Sequence, residues 1–168
     1  MRLVLLFAVL ALIAVALETA VPYWFWLRVL LPNLIVILAV DLGFRHHGVI
    51  PAILAFAMGY ATDSLSGTSH GLNALLITVV YLFAYELSTR LLLMTGLVGM
   101  VTVFISVMFT QLGAIALSSG VSALGMAGPQ VPHLAASAGV SAILAPAVFA
   151  LLDRSKRMVG LRVSSTRE

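Results

Sequence analysis

The sequence predicts an all-α integral membrane protein, a single bundle of about six transmembrane helices. Three observations lead there. First, hydrophobic residues make up 62% of the 168 and charged residues 9%, with a mean hydropathy of +1.15. A soluble domain carries about 25% charged residues, so there is too little charge here to keep a water-facing surface wet. Second, the apolar residues come in long unbroken runs, unlike the roughly ten-residue alternating segments of a membrane barrel. Third, Lys and Arg fall in alternate loops. Together these exclude a soluble enzyme, a disordered chain and a nucleic-acid-binding domain. About 20 residues cross a bilayer, so six spans use about 120 and leave short loops with no room for a second domain. The division expected is a bundle over residues 1–152 and a basic tail over 153–168.

The first span runs from Arg2 to Ala20, an uncleaved helix, since it is long for a signal peptide, lacks a clear A-x-A site and is followed by more spans. The second runs from Tyr23 to Phe44, with Pro32-Asn33 near its middle as a kink. The third runs from Val49 to Leu65, opened by Pro51, whose missing N–H is harmless in a first turn. The fourth covers Gly71 to Thr89 and the fifth Leu91 to Ser118. A Gly/Ser/Pro-rich stretch over residues 119–132 precedes the sixth, His133 to Leu152, with Pro146 as a second kink. Positive charge sets the orientation. Arg2, then Arg45 with His46 and His47, then Arg90, then Arg154, Lys156 and Arg157 with the rest of the tail mark one face; the turns between carry no Lys or Arg. By the positive-inside rule that face is cytoplasmic and holds both termini. Five of the nine Lys and Arg residues follow Leu152, which makes the tail a topology signal and a surface for anionic lipid. Arg28, on the outer side of span two, is close enough to the headgroups to snorkel.

Acidic residues sit near span ends rather than at the midplane: Glu18, Asp41, Asp63 and Glu86. That pattern speaks against an ion or proton pathway, which places such groups at mid-depth. Glu86 and Arg90 have the favourable i, i+4 spacing for a surface pair, and Glu18 reads as an interfacial residue or a contact for Arg28. The midplane offers only Asn33, Thr78, Thr102, Ser106 and Ser141, residue types that bond back to their own helix or across to a neighbour. Asn33 is placed to satisfy a carbonyl freed by Pro32 or to bond across helices. With no cysteine, no thiolate site exists. His46 and His47 diverge on a helix, and His70 and His133 are lone span-end histidines, so no metal site, cofactor site or catalytic constellation is expected. Small-residue pairs, Ala55 with Gly59, Ala135 with Gly139 and Ala138 with Ala142, suit close helix contacts.

The densest cluster of special residues runs from Asp63 to Ala74. It reads as a span end, a tight turn and a span start. Gly67 and Gly71 supply positive φ or close approach, Ser69 is a cap for span four, and Asp63 is placed to accept from the N–H groups of that span's first turn or from Asn73. Such a hairpin satisfies its own polar groups at membrane depth and needs no ligand.

With these residues in hand the chain resembles the rod shape-determining MreD family of bacteria. The resemblance rests on the small six-span size, on Pro32-Asn33-Leu34 where the family shows Pro-Asp-Leu or Pro-Asn-Leu, and on Gly59…Asp63-x-Leu65-Ser66-Gly67-x-x-x-Gly71-Leu72-Asn73-Ala74-Leu75. It covers most of the first 90 residues; the second half matches in apolar character, and Glu18 departs from the uncharged polar residue common there. The resemblance implies a non-enzymatic scaffold of the cell-elongation complex in the inner membrane. It implies binding to MreC, a single-span protein, and links to MreB, RodA and the elongation transpeptidase, so that filaments are coupled to peptidoglycan synthesis and cell shape. It also implies a fold similar to the substrate-binding subunits of energy-coupling-factor transporters. Pro32, Asn33, Gly59, Asp63, Gly67, Gly71 and Asn73 then become the structural or partner-contacting motif. The alternative is a small-molecule-binding transport subunit with a polar cleft near Asp63 and Asn73. Convergent free polar side chains would favour that alternative; polar groups that bond one another would favour the scaffold.

Overall fold

The computed structural model describes residues 33–46, 48–66, 71–90, 96–119 and 131–158, with residues 7, 9, 10, 12–14 and 16 of an N-terminal helical segment. All of the regular structure among them is helix: α1 (Leu34–Arg45), α2 (Val49–Ser66), α3 (Leu72–Arg90), α4 (Gly96–Ser119) and α5 (Val131–Met158). Segments Leu72–Arg90, Gly96–Leu117 and Pro132–Arg154 are long and apolar enough to cross a membrane. Large apolar side chains face outward along them and along α2, where Val49, Ile53, Phe56 and Tyr60 form one exposed stripe. In water such a surface would drive aggregation; in a bilayer it is the lipid-facing side.

Of the span expected from Tyr23 to Phe44, residues 23–32 lie outside the described residues, and the rest is helix α1. It begins at Leu34 and is only 12 residues long, about 18 Å. Ten of those 12 residues are buried, so it is the centre of the bundle and is covered by protein on every side. The reason for the start is local. Asn33 is a strong cap. Asn33 leaves the helix with ψ 84°, and its side-chain oxygen accepts from the Val36 N–H at 3.2 Å. Pro32, Gly67, Ser69, His70, Glu18, Arg28 and residues 120–130 lie outside the described residues.

The other elements follow the apolar runs closely. Helix α2 packs against α3 as an antiparallel hairpin, and α3 covers α1. Gly43 of α1 makes that second contact possible, because a Cβ there would stand 2.7 Å from the Tyr81 carbonyl oxygen. Helix α4 packs chiefly on α5. These two are antiparallel: Gly99 meets Phe149 near one end, and Gln111 bonds Ser137 near the other. Helix α5 runs on through Pro146 to Met158, six residues past the expected span end, so Arg154, Lys156 and Arg157 belong to the helix; residues 159–168 lie outside the described residues. Arg45, Arg90 and Arg154 therefore share one end of the bundle, and Asp63 lies at the other. At the Arg45 end the Tyr81 hydroxyl donates toward the carbonyls of His46 and Gly48, at 3.3 and 3.1 Å, and holds the α1–α2 turn. Phe7 of the N-terminal segment stacks edge-on against His46 at the same end, with ring centroids 6.1 Å apart.

Candidate functional site

The cluster singled out in the sequence is assembled around one carboxylate. Gly59 and Asp63 are four residues apart on α2 and so share a face. A Cβ on Gly59 would stand 2.5 Å from the Ala74 Cα and 2.6 Å from the Asn73 carbonyl oxygen. Only a hydrogen at that position lets the α2 backbone lie directly against the start of α3. One turn further on, that approach puts Asp63, 0% exposed, beneath the first turn of α3. Asp63 Oδ2 accepts from the N–H groups of Gly71 at 2.9 Å and Ala74 at 3.2 Å, and Oδ1 accepts from Asn73 N–H at 3.2 Å. Three orphan donors of a helix N-terminus are thus satisfied, and the negative charge meets the positive end of the helix dipole. Gly71 has φ +94° and open space around its would-be Cβ, so conformation, not crowding, requires glycine there. It is the backbone of Asn73 that bonds Asp63, and its side chain is half-buried beside that contact.

A second polar chain crosses the bundle. The Asn33 N–H donates to Ser141 Oγ at 3.0 Å, and Ser141 Oγ donates to the Ser137 carbonyl at 2.8 Å. Ser137 Oγ accepts from Gln111 Nε2 at 2.7 Å. The bond Asn33 makes across helices comes from its backbone, whereas the side chain, expected to make it, caps its own helix. Thr78 and Thr102 bond back to the carbonyls four residues earlier. Among the small-residue pairs, Ala55 and Ala138 are fully buried and Ala142 nearly so, whereas a Cβ on Gly139 meets open space.

A third centre was missed in the sequence. Arg45 Nε pairs with Asp41 Oδ1 at 2.9 Å, and Arg45 Nη1 pairs with Asp153 Oδ1 at 2.6 Å. Asp41 is buried, and the Arg45 and Asp153 side chains are 32% and 26% exposed. The Asp41–Arg45 spacing is i, i+4, the same signal that correctly pairs Glu86 with Arg90, here at 2.6 Å. The link to Asp153 has no local signature, since 108 positions separate the partners. Among the described residues no three His, Cys, Asp or Glu side chains gather as a metal-ligand set.

The hairpin geometry accounts for the Gly59-x-x-x-Asp63 and Gly71-x-Asn73-Ala74 spacing in physical terms, and that spacing is what the resemblance rests on. The sequence model of the rod shape-determining protein MreD matches residues 1–155. The chain belongs to the MreD family. As an MreD-family protein it is a membrane component of rod-shape determination, and its family is one of structural, shape-determining proteins. The match extends past the hairpin to α5 and takes in Asp153. No curated protein and no solved structure matches the chain, so the likeness to energy-coupling-factor subunits remains only an implication of the resemblance.

Proposed function

We propose that this MreD-family protein is a non-enzymatic scaffold of the cell-elongation complex that binds an MreC-type single-span partner and helps couple MreB filaments to peptidoglycan synthesis. The observation that carries this reading is the Asp63 carboxylate. Both of its oxygens are taken by backbone N–H groups of α3, so the strongest acceptor at this end serves the fold and is not presented to a small molecule. A transport subunit would need convergent free polar groups there. The orientation that fits is the Arg45 end in the cytoplasm of the inner membrane, because Arg45, Arg90 and the basic run from Arg154 to Arg157 all collect at that end. On this reading Asn73 and the outward stripe of α2 face the partner side, and the basic end of α5 meets anionic lipid or the filament layer.

The test is capture of the tagged chain from native membranes in mild detergent, with mass spectrometry of the proteins retained. Retention of an MreC-type single-span protein is the expected result. Retention of a transporter's ATPase pair and coupling subunit instead would overturn the scaffold and make Asp63 and Asn73 ligand contacts.

A further inference from the structure

Helices α1 to α3 and the pair α4–α5 each pack chiefly within themselves, and α4 also packs on α3 and α1. Between the two groups run apolar contacts and, among the described residues, two polar ties. The ties are in register: Asn33 meets Ser141 and Arg45 meets Asp153, with the same separation of 108 residues. Helices α1 and α5 are therefore parallel and fastened at two levels 12 residues apart, about 18 Å along the axis. In a bilayer, helices have no hydrophobic drive to associate, because lipid tails are as apolar as leucine, and they are held by close packing and interhelical polar bonds. The polar ties therefore add to packing in closing the two groups.

They are not equal. The Asn33–Ser141 tie joins a backbone N–H to a hydroxyl within the bundle. The Arg45–Asp153 tie is charge-assisted and lies at the bundle end, with about a third of the arginine and a quarter of the aspartate side chain exposed. Asp41, wholly buried behind Arg45, keeps the guanidinium on α1 whether or not Asp153 is bound. The one part free to let go is Asp153, and it sits within an unbroken helix that continues to Met158. We infer that Asp41–Arg45–Asp153 is a latch: it closes the α4–α5 pair on α1 to α3 at the Arg45 end, and its release lets that end of the pair swing out. The helix beyond Asp153 carries Arg154, Lys156 and Arg157, so whatever engages those residues acts on the latch through a rigid connection.

The chain has no cysteine, so two introduced cysteines can carry spin labels without a background. Val49→Cys and Ala150→Cys are exposed positions near the Arg45 end, one in each group. Val101→Cys and Ala147→Cys, also exposed, form a control pair within α4–α5. In phosphatidylcholine vesicles, Asp153→Asn is expected to raise the long-distance population of the first pair roughly tenfold, the scale of a lost charge-assisted bond. The control pair stays unchanged, and Asp153→Glu restores the short distance. An Asp153→Asn distribution identical to the parent overturns the latch. So does equal loss in Asp153→Glu, which would mean that packing rather than charge holds the pair, and so does matching movement of the control pair, which would mean that the helices have simply separated.

Discussion

Two glycines and one carboxylate show how much a single position can carry in this membrane protein. Asp63 serves three backbone donors, and no water reaches a wholly buried group to replace it. Asp63→Ala is expected to cost about 1–3 kcal/mol for each donor left dry, enough to lower the thermal midpoint in detergent and the abundance in membranes. Asp63→Asn keeps one acceptor oxygen and should fall between the two; a wild-type melting curve for Asp63→Ala would remove the hairpin from its structural role. Gly59 and Gly139 form a matched comparison, since both are helical glycines of small-residue pairs. Gly59→Ala drives a methyl into the Ala74 backbone and should destabilise by about 1–3 kcal/mol, as overpacking does. Gly139→Ala meets open space and gains helix propensity of up to about 1 kcal/mol, so its melting point should hold or rise. The two differ in sign although the sequence pattern around them is the same.

At the scale of the element, helices α2 and α3 were legible almost to the residue: expected over Val49 to Leu65 and Gly71 to Thr89, they run Val49–Ser66 and Leu72–Arg90. Each is an apolar run bounded by a turn or a charge, and hydropathy reads that directly. The start of helix α1 was not, because apolar residues continue through Pro32-Asn33 and hydropathy does not separate residues before the helix from residues in it. What separates them is the cap, and the cap is a local hydrogen bond. Asn33→Ala removes the acceptor for Val36 N–H and should cost about 1 kcal/mol, seen as faster amide exchange over the first turn of α1 while α3 keeps its protection. Uniform exchange across both helices would show instead that Asn33 acts on the whole bundle. The Arg45–Asp153 link was illegible for another reason. Spacing along one helix reveals Asp41 beside Arg45, but a contact spanning 108 positions exists only once α5 has docked. That is also why Asp153 was expected at the head of a tail and is found within helix α5, half-buried against Arg45 at the bundle end.

For the whole molecule, the arrangement of charge states which way it sits. Asp63 closes one end with its charge spent on a helix terminus, where it adds nothing to topology. The other end gathers Arg45, Arg90 and the run from Arg154 to Arg157. Of these, Arg45 is committed to two carboxylates and Arg90 to the exposed Glu86, a surface pair of little energetic weight. Lys and Arg near span ends orient a chain irrespective of acidic neighbours, so the cations that follow Asp153 carry the largest share of the signal for the last span. Replacing Arg154, Lys156 and Arg157 together with glutamate should therefore weaken retention of the α5 end on the cytoplasmic side and loosen its hold on anionic vesicles, with each lost cation worth about 1 kcal/mol near such a surface. A C-terminal fusion to a reporter active only in the cytoplasm reads the first effect as a drop in signal, and vesicle co-sedimentation of a peptide spanning residues 150–168 reads the second. If neither moves, orientation rests on the other cations of that face, Arg2, Arg45 and Arg90 among them, and Arg154, Lys156 and Arg157 have no membrane role.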